Sequence, residues 1–204
     1  MLTTIIKQTR IGFHDAHDDS LEQFSRSFPT GPFEGSNGLI QQAVSTAQVA
    51  QVRMLMRSFV TWLRDRYQTT KWFIDGYFDE NKFKAELAAL PGAYAPPSGR
   101  LFLATWSGKP AGCVALRKIG ENSSEMKRLF VASEFQGKKI GKKLVRALID
   151  EAKLIGYRRI FLDTGYKQVE AQNLYRSLGF VEIRPYYEVP HAIRDMLVFM
   201  ELKL

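Results

Sequence analysis

Cysteine is almost absent from this sequence. The chain of 204 residues contains one, Cys113, so an intrachain disulfide is excluded and the cysteine usage fits a reducing compartment. A catalytic thiol would need a histidine beside it, and none lies near Cys113 in the sequence. We therefore predict that Cys113 is a buried strand residue.

Long apolar runs are also missing. No uninterrupted stretch is long enough to cross a bilayer, and the opening residues, MLTTIIKQTRIGF, contain only a short apolar run without the core of a signal peptide. The sequence thus predicts a cytoplasmic protein with no membrane partner.

Histidine is scarce, with three in the chain. Two of them, His14 and His17, alternate with aspartates in residues 14–19, and imidazole with carboxylate is a reasonable metal-ligand set. Adjacent residues of a flexible leader rarely converge on one ion, so we expect a plain polar segment and no metal. The third, His191, follows Pro190 and is predicted to be a loop residue, with a place at the mouth of an acceptor site as the alternative.

Acidic residues are outnumbered, 21 against 29 lysines and arginines, which gives a formal net charge of +8 and attraction to polyanions in general. A nucleic-acid-binding face would interleave basic residues with stacking aromatic residues. Instead, four lysines cluster in one short stretch: Lys138, Lys139, Lys142 and Lys143. A compact phosphate group fits this cluster better, so nucleic acid is not the expected partner.

The chain is predicted to form one domain. Its composition, 45% hydrophobic and 25% charged, is ordinary for a globular protein. Residues 25–38 are rich in serine, glycine and proline, which is typical of a linker. We therefore divide the chain into an N-terminal extension with linker, residues 1–38, and a single domain, residues 39–204.

Periodicity predicts the elements of that domain. Strands are predicted at 39–44, 101–106, 111–116, 124–131, 159–164, 180–184 and 195–202. Helices are predicted from an N-cap at Ser45 to about Leu63, and at 80–89, 144–155 and 167–178. Between the first two helices lie six aromatic residues, most of them expected in the core, with an aromatic-lined pocket as the alternative: Trp62, Tyr67, Trp72, Phe73, Tyr77 and Phe78.

The four clustered lysines lie at the start of the helix at 144–155, where the helix macrodipole is already positive and backbone N–H groups are unpaired. A bound phosphate would accept hydrogen bonds from those groups and neutralise the lysines together. Gly137 and Gly141 support this hypothesis, because they allow a tight turn and close approach of the backbone to a ligand. A solvated basic helix start is the alternative.

Residues Gln136 to Gly141, QGKKIG, resemble the Q/R-x-x-G-x-G/A loop that binds the acyl-CoA pyrophosphate in the GNAT acetyltransferase superfamily. Lys139 stands where the family usually has its middle glycine, so the loop keeps Gly141 of the two motif glycines and has Gly137 as an extra. A side chain at position 139 would be tolerated if it points to solvent.

The second half of the chain carries more of the resemblance. Residues 174–180 are similar to the family's LYxxxGF signature, in the expected order after the strand at 159–164. Small-molecule-type members of the superfamily share four longer motifs with this chain, ELAxLPGxYAPPxG at 86–99, CEMKRxYV at 124–131, GYxxxxLDT at 156–164 and LYRSLGFxExxPYY at 174–187. Ser124 replaces the cysteine of the second motif, and the resemblance covers about residues 39–204.

The resemblance implies an α/β (α+β) fold, with a mixed, strongly twisted sheet of six to seven strands and helices on both faces. It implies acetyl-CoA as co-substrate and no metal. The residues that would hold acetyl-CoA are Leu129, Phe130, Val131, Gln136, Gly137, Lys138, Lys139, Ile140, Gly141, Lys142 and Gln168. Among them, the backbone amides of Leu129 and Val131 would hold the pantetheine arm, and Gln168 stands where the family often has an asparagine.

The resemblance also suggests two catalytic residues. Tyr175 occupies the position of the family's frequent general acid toward the CoA sulfur, with a packed helix tyrosine as the alternative. Glu125 is the candidate base, directly or through a water, because it stands on the central strand where several family members have a catalytic glutamate. Strand alternation would put it on the same face as Lys127, Leu129 and Val131. A surface glutamate, or a salt bridge to an arginine that shapes the acceptor site, are its alternatives.

Acyl transfer to an amine needs a proton acceptor for the amine, polarisation of the carbonyl and a proton donor for the departing thiolate. The sequence therefore predicts an N-acetyltransferase that moves an acetyl group from acetyl-CoA to a primary amine of a small molecule or peptide, by direct attack in a ternary complex, as a monomer or homodimer. A catalytically silent acyl-CoA-binding module and a basic nucleic-acid-binding protein are the alternatives. The presence of both Glu125 and Tyr175 favours the enzyme.

Overall fold

A computed structural model describes residues 31–32 and 37–204 of the chain. The predictions made for residues 1–30, among them the short apolar run and the polar segment at 14–19, lie outside the described residues.

Within those residues the strands form one sheet in the order β1-β2-β3-β4-β5-β6-β8-β7. They are β1 (Gly31–Pro32), β2 (Gly38–Gln42), β3 (Arg100–Trp106), β4 (Lys109–Gly120), β5 (Ser123–Val131), β6 (Arg159–Gly165), β7 (Val181–Ile183) and β8 (Leu197–Lys203). All neighbours are antiparallel except β5 and β6, which run parallel. The predicted mixed sheet is confirmed, and the two-residue β1 extends its edge into the segment predicted as linker.

The helices are α1 (Thr46–Arg66), α2 (Lys71–Tyr77), α3 (Glu80–Ala89), α4 (Ile140–Ile155), α5 (Val169–Ser177) and α6 (His191–Arg194). The predicted N-cap of α1 is confirmed, since the Ser45 hydroxyl accepts a hydrogen bond from the Gln48 amide and the Gln48 side chain accepts one from the Ser45 amide. Helices α2 and α6 were not predicted. Helix α2 lies within the stretch whose aromatic residues were predicted to be in the core or around a pocket.

Core residues lie on both faces of the sheet, because side chains alternate along each strand. On β3, Leu101 and Leu103 pack with α1 and α3, whereas Phe102 and Ala104 pack with α4. The predicted burial of Cys113 is confirmed, and its side chain belongs to the α1 face. Helices therefore cover both faces of the sheet, as predicted.

The parallel strands β5 and β6 pair only over their first residues. The register runs from Ser123 opposite Arg159 to Glu125 opposite Phe161 and ends there, although both strands continue. Beyond that point the strands separate, and their facing edges present backbone N–H and C=O groups to a wedge-shaped opening in the sheet. This opening is the natural place for a ligand in the fold.

A β-bulge interrupts β5 within the wedge. Val114 of β4 faces two residues of β5, Arg128 and Leu129, and Arg128 has a positive φ of 59°. An extra residue in one strand leaves backbone groups unpaired and re-aims the side chains that follow it. The bulge interrupts the pairing of β5 with β4, in the part of β5 that has already separated from β6.

The prediction that Glu125 shares a face with Leu129 and Val131 is wrong, and the bulge is the reason. Glu125 and Lys127 lie on the α1 and α2 side, with their side-chain charges 3.5 Å apart. Leu129 and Val131 pack with the opposite core, below α4. One inserted residue shifts a period-two pattern by one and reverses the faces of every later side chain.

Candidate active site

Helix α4 begins without a capping side chain. Ser45 caps α1 and Asp79 caps α3 through hydrogen bonds to backbone amides, but Lys139 at the N-cap of α4 makes no such bond and the first turn contains no acidic residue. The backbone amides of that turn therefore point outward beside Lys138 and Lys142. The positive end of the helix dipole lies at the same place. Unpaired amides and positive charge at a helix start are the features that favour an anion.

The loop before α4 keeps the backbone shape that its glycine motif implies. Lys139 replaces a glycine and adopts a left-handed conformation, with φ 60° and ψ 14°, while its side chain is exposed. Gly137 also has a positive φ of 80°. The predicted tolerance of a solvent-directed side chain at position 139 is consistent with this geometry.

An open groove of about 240 Å³ runs from this helix start into the wedge, and we call it the outer groove. Its lining residues are Phe59, Trp62, Arg66, Leu129, Phe130, Val131, Gln136, Gly141, Gln168, Glu170, Ala171 and Leu174. Six of the eleven residues predicted to hold acetyl-CoA are in that set: Leu129, Phe130, Val131, Gln136, Gly141 and Gln168. The outer groove thus joins residues from two predicted motifs that lie far apart in sequence.

Other members of the predicted set have different environments. The Ile140 side chain is buried in the α4 core, so only its backbone faces the helix start. Gly137, Lys138 and Lys139 are exposed, and the Lys138 ammonium lies 4.7 Å from the Trp106 ring centroid. The Gln168 side chain accepts a hydrogen bond of 2.8 Å from the Gly165 amide, which fixes it at the start of α5.

A second, smaller cavity of about 50 Å³ lies deeper in the wedge, and we call it the inner cleft. Its lining residues are Phe59, Leu63, Phe73, Ile74, Tyr77, Phe78, Met126, Lys127, Arg128, Leu129, Asp163, Thr164, Gly165, Gln168, Tyr175 and Leu197. Phe59, Leu129 and Gln168 line both cavities, so the inner cleft and outer groove adjoin. The inner cleft has aromatic and aliphatic walls on the helix side, and its charges are grouped on the β5 and β6 walls.

Tyr175 of α5 lies in the wall of the inner cleft. Its ring packs against Phe180 and its side chain is buried, yet it lines the inner cleft, and its hydroxyl makes no hydrogen bond within the described part of the chain. Burial and the negative charge of Asp163 raise the pKa of Tyr175, which keeps the phenol protonated. A protonated phenol directed at a cleft can donate a proton there.

Glu125 is buried in a network of polar side chains. One carboxylate oxygen accepts a hydrogen bond of 2.7 Å from Tyr186, and the other pairs with Arg117 at 2.5 Å. Lys127 lies 3.5 Å from the first oxygen. Glu125 is behind the lining of the inner cleft, and the salt bridge to an arginine, which the sequence left open, is present.

Sequence reasoning missed two polar residues of the inner cleft, Tyr77 and Asp163. The Tyr77 hydroxyl donates a hydrogen bond to Asp163, and the Lys127 ammonium lies 3.1 Å from the other Asp163 oxygen. Asp163 belongs to the LDT part of a motif noted in the sequence, but its partner Tyr77 was grouped with core aromatics. No local pattern pairs a tyrosine with an aspartate 86 positions away.

Arg128, at the bulge, is held by a second buried ion pair. Its guanidinium contacts the Glu86 carboxylate at 2.5 Å and lies over the rings of Phe78 and Phe83, at 5.0 and 5.3 Å from their centroids. Tyr94 donates a 2.7 Å hydrogen bond to the same carboxylate. These contacts hold the left-handed residue in place and fix the wall of the inner cleft.

Five of the six aromatic residues between the first two predicted helices lie in the core or a cavity wall, and Trp72 is exposed outside both cavity linings. Tyr67, Phe73 and Phe78 are buried, as expected for most of them, while Trp62 and Tyr77 are half-buried and line the outer groove and inner cleft. Core packing and a place in a pocket wall, the two alternatives drawn from the sequence, therefore each apply to part of this stretch. His191 is exposed at the start of α6, outside both cavity linings.

Two further features concern the part of the chain that the structure covers. None of its helices is long and apolar enough to cross a membrane. Across residues 31–32 and 37–204, no three His, Cys, Asp or Glu side chains are grouped so that they could hold a metal ion.

Comparison with known proteins identifies the family of the chain. The sequence profile of the acetyltransferase (GNAT) family matches residues 53–180. An uncharacterised N-acetyltransferase of Dictyostelium discoideum is 32% identical over 77% of this chain and 95% of its own length. An IAA acetyltransferase of Azospirillum brasilense is 34% identical over 54% of this chain and 71% of its own length.

Solved structures agree on the fold. The PaiA N-acetyltransferase of Thermoplasma acidophilum, in complex with coenzyme A, superposes with a TM-score of 0.60 at 18% sequence identity, covering 82% of this chain and 99% of its own. The family match spans more than half of the chain, from α1 through the wedge to the LYxxxGF signature. The chain therefore belongs to the GNAT acetyltransferase family and is an N-acetyltransferase of that family.

Proposed function

We propose that the protein transfers an acetyl group from acetyl-CoA to a primary amine, by direct attack of the amine in a ternary complex. One observation carries the proposal: the Tyr175 hydroxyl, without a protein partner among the described residues, faces a cleft that adjoins a groove ending at an uncapped, lysine-rich helix start. A catalytically silent binding module would need the groove and the helix start but not the hydroxyl.

The residues present fit acetyl-CoA. The free amides at the start of α4, together with Lys138, Lys139 and Lys142, suit a pyrophosphate. The edges of β5 and β6 in the wedge offer backbone groups to an extended arm with amides of its own, as pantetheine has. When bound, acetyl-CoA would supply the acetyl thioester; the chain supplies the binding and the proton transfers.

Two proton transfers are needed from the chain. Tyr175 would donate a proton to the leaving thiolate, since burial keeps its phenol protonated. Glu125 was predicted as the base directly or through a water. Its contacts favour an indirect role, because both carboxylate oxygens already have partners and Lys127 lies between Glu125 and Asp163.

The acceptor would be a small molecule or an exposed amine of a peptide. The inner cleft has about 50 Å³ of space, which suits a slender amine better than a bulky one. Relatives support a small acceptor, among them an N-acetylaspartate synthetase of Danio rerio that is 34% identical over 56% of this chain and 41% of its own length.

The first experiment is isothermal titration of the full chain with acetyl-CoA and, separately, with a mixed-sequence oligonucleotide at physiological salt. We expect binding of acetyl-CoA with a Kd on the order of micromolar and little binding of the oligonucleotide. Release of CoA is then measured with 2-phenylethylamine, spermidine, aspartate and a lysine-containing tetrapeptide. Binding without CoA release from any amine would favour the silent module, and preferential oligonucleotide binding would favour the nucleic-acid alternative.

Tyr175→Phe tests the proton donor. The substitution removes only the hydroxyl and keeps the ring contact with Phe180. We expect turnover to fall about 100-fold while the acetyl-CoA Kd changes less than about twofold, because a proton donor acts in the reaction and not in binding. Unchanged turnover would remove the role assigned to Tyr175.

A further inference from the structure

We propose that the acceptor amine loses its proton through the Tyr77 hydroxyl to the Asp163 carboxylate, with Lys127 holding that carboxylate in place. This inference rests on the acetyl transfer proposed above and names the residues that complete it. Tyr77 would be the group in contact with the amine.

Asp163 occupies the apex of the wedge. Phe161 is the last residue of β6 that pairs with β5. Asp163 is therefore the first residue on the same face of β6 after β5 and β6 separate. Its neighbour across the opening is Lys127 on β5, 3.1 Å away. The Asp163 side chain is fully buried, so its charge is directed at groups of the cleft and not at bulk solvent.

Tyr77 connects this carboxylate to the cavity. Its hydroxyl lies in the lining of the inner cleft and donates its hydrogen to Asp163, which leaves the lone pairs of the hydroxyl oxygen for another donor. The Lys127 ammonium donates one long hydrogen bond of 3.5 Å to this oxygen, and the second lone pair is left for another donor. Because an amine is a hydrogen-bond donor, it fits this position, and Tyr175 lies in the lining of the same small cavity.

Tyr77 suits the role of a relay and not that of an independent base. Burial and the charge of Asp163 raise the pKa of Tyr77 well above its ordinary value, so the hydroxyl stays protonated until it can exchange one proton for another. Asp163 also raises the pKa of Tyr175, which indicates that the carboxylate is near both phenols.

The proton balance of the step is closed. An N–H bond of the amine breaks, its proton binds the Tyr77 oxygen, and the proton already on that oxygen moves to Asp163. The charge of the site does not change, because the positive charge on the attacking nitrogen disappears as the negative charge of Asp163 is neutralised. After product release, Asp163 returns its proton to solvent by the same route.

The surrounding charges are arranged for this exchange. The groups facing Asp163 are Tyr77 from α2, Lys127 and Glu125 from β5, Tyr175 from α5, and Tyr186 with Tyr187 from the loop after β7. Glu125 shares Lys127 with Asp163, so it limits how strongly the lysine binds the Asp163 carboxylate. Glu125 thus positions Lys127 and does not itself receive the proton.

The test uses the full chain and the variants Tyr77→Phe and Asp163→Asn, with Tyr157→Phe as the matched control. Tyr157 is a buried tyrosine whose hydroxyl donates a hydrogen bond of 2.7 Å to the Ser98 carbonyl, and it lies outside both cavity linings. Acetyl transfer to the fastest amine of the four probes is followed in single turnovers, so that product release does not mask the chemical step. The acetyl-CoA Kd and the melting temperature of each variant are measured alongside.

We expect Tyr77→Phe to slow the single-turnover rate about 100-fold, Asp163→Asn to slow it at least as much, and Tyr157→Phe to change it less than about twofold. The acetyl-CoA Kd of Tyr77→Phe should stay near that of the wild type. In mixtures of light and heavy water, a plot of the wild-type rate against the deuterium fraction of the solvent should be curved, because two protons move together. The Tyr77→Phe rate should lose that curvature.

The outcomes separate the two proposals. A wild-type protein that binds acetyl-CoA but acetylates none of the probes would overturn the proposed function and the relay with it. An active wild type whose rate is unaffected by Tyr77→Phe, or depends linearly on deuterium content, would overturn the relay alone. If Asp163→Asn melts at a much lower temperature, Tyr77→Phe decides the question, because it leaves the buried ion pair intact.

Discussion

At the scale of single residues, Lys139 combines an unfavourable conformation with a useful charge. Its φ of 60° is in the left-handed region, where a residue with a Cβ is less stable than glycine by about 1 kcal/mol. Its side chain is exposed and packs against nothing that would repay this cost. The charge beside the free amides of α4 is the remaining reason for a lysine at this position.

A pair of substitutions separates strain from charge at this residue. Lys139→Gly and Lys139→Ala both remove the charge, but only glycine removes the strain. We expect Lys139→Gly to be more stable than Lys139→Ala by about 1 kcal/mol in urea unfolding, and both variants to bind acetyl-CoA about two- to fivefold more weakly than the wild type. Equal stability of the two variants would show that the left-handed conformation is not strained.

Single residues also mark how far the sequence could predict the site. Tyr175 and the QGKKIG loop were found because each lies in a short motif whose chemistry is local. Tyr77 was not found, because its partner Asp163 is on another element and only the fold brings them together. Glu125 was placed on the right strand, but its contacts with Arg117 and Tyr186 depend on tertiary structure.

At the scale of elements, the bulge in β5 could not be predicted from the sequence. Bulges with a left-handed residue commonly have glycine there, but this one has Arg128, so the usual signal is absent. Helix α2 was missed because its residues, KWFIDGY, are too few and too aromatic for a helical period to stand out. The longer elements were predicted well, and the bounds of α3 match the predicted 80–89.

Reversing the charge at the start of α4 tests its role in binding acetyl-CoA. Lys138 and Lys139 changed together to glutamate place two negative charges where the helix dipole and the free amides favour an anion from the ligand. We expect acetyl-CoA binding to weaken at least about tenfold at low ionic strength, and by less at high salt because screening reduces the repulsion. Isothermal titration at two salt concentrations measures both effects.

The control for this prediction carries the same change in net charge elsewhere. Lys118 and Lys153 are exposed and lie outside both cavity linings. If their double change to glutamate weakens acetyl-CoA binding as much as the change at Lys138 and Lys139 does, the overall charge of +8 would explain the attraction, and the helix start would have no special role.

At the scale of the whole molecule, buried ion pairs connect the helical layers to the sheet. Glu151 of α4 binds Arg100 of β3 on one face, at 2.7 Å. Glu86 of α3 binds Arg128 of β5 on the other face, beside the inner cleft. Each pair ties a helix to a strand, and the Glu86–Arg128 pair also holds a wall of the inner cleft, so part of the fold's stability and the shape of the site depend on the same contact.

The Glu86–Arg128 pair makes part of that stability depend on pH. Burial by itself would raise the pKa of Glu86, but the hydrogen bonds and the charge of Arg128 outweigh it and hold that pKa below its ordinary value of 4.5. A carboxyl group whose pKa is lower in the folded state stabilises the fold above its unfolded pKa, and this contribution is lost as the pH falls through the folded pKa.

Glu86→Gln therefore should destabilise the protein most near neutral pH, by about 2 kcal/mol, because it leaves the Arg128 charge buried without its partner. Below about pH 4.5 the unfolded chain binds a proton at Glu86 first, and the folded wild type does so once the pH has fallen below its lowered pKa. Protonated Glu86 resembles glutamine, so the melting temperatures of the two proteins should converge over this range. Thermal melts between about pH 7 and pH 3 measure this difference. A difference that stays constant over the whole range would mean that Glu86 stabilises the fold by packing alone, and that its charge contributes nothing to holding α3 against the bulge.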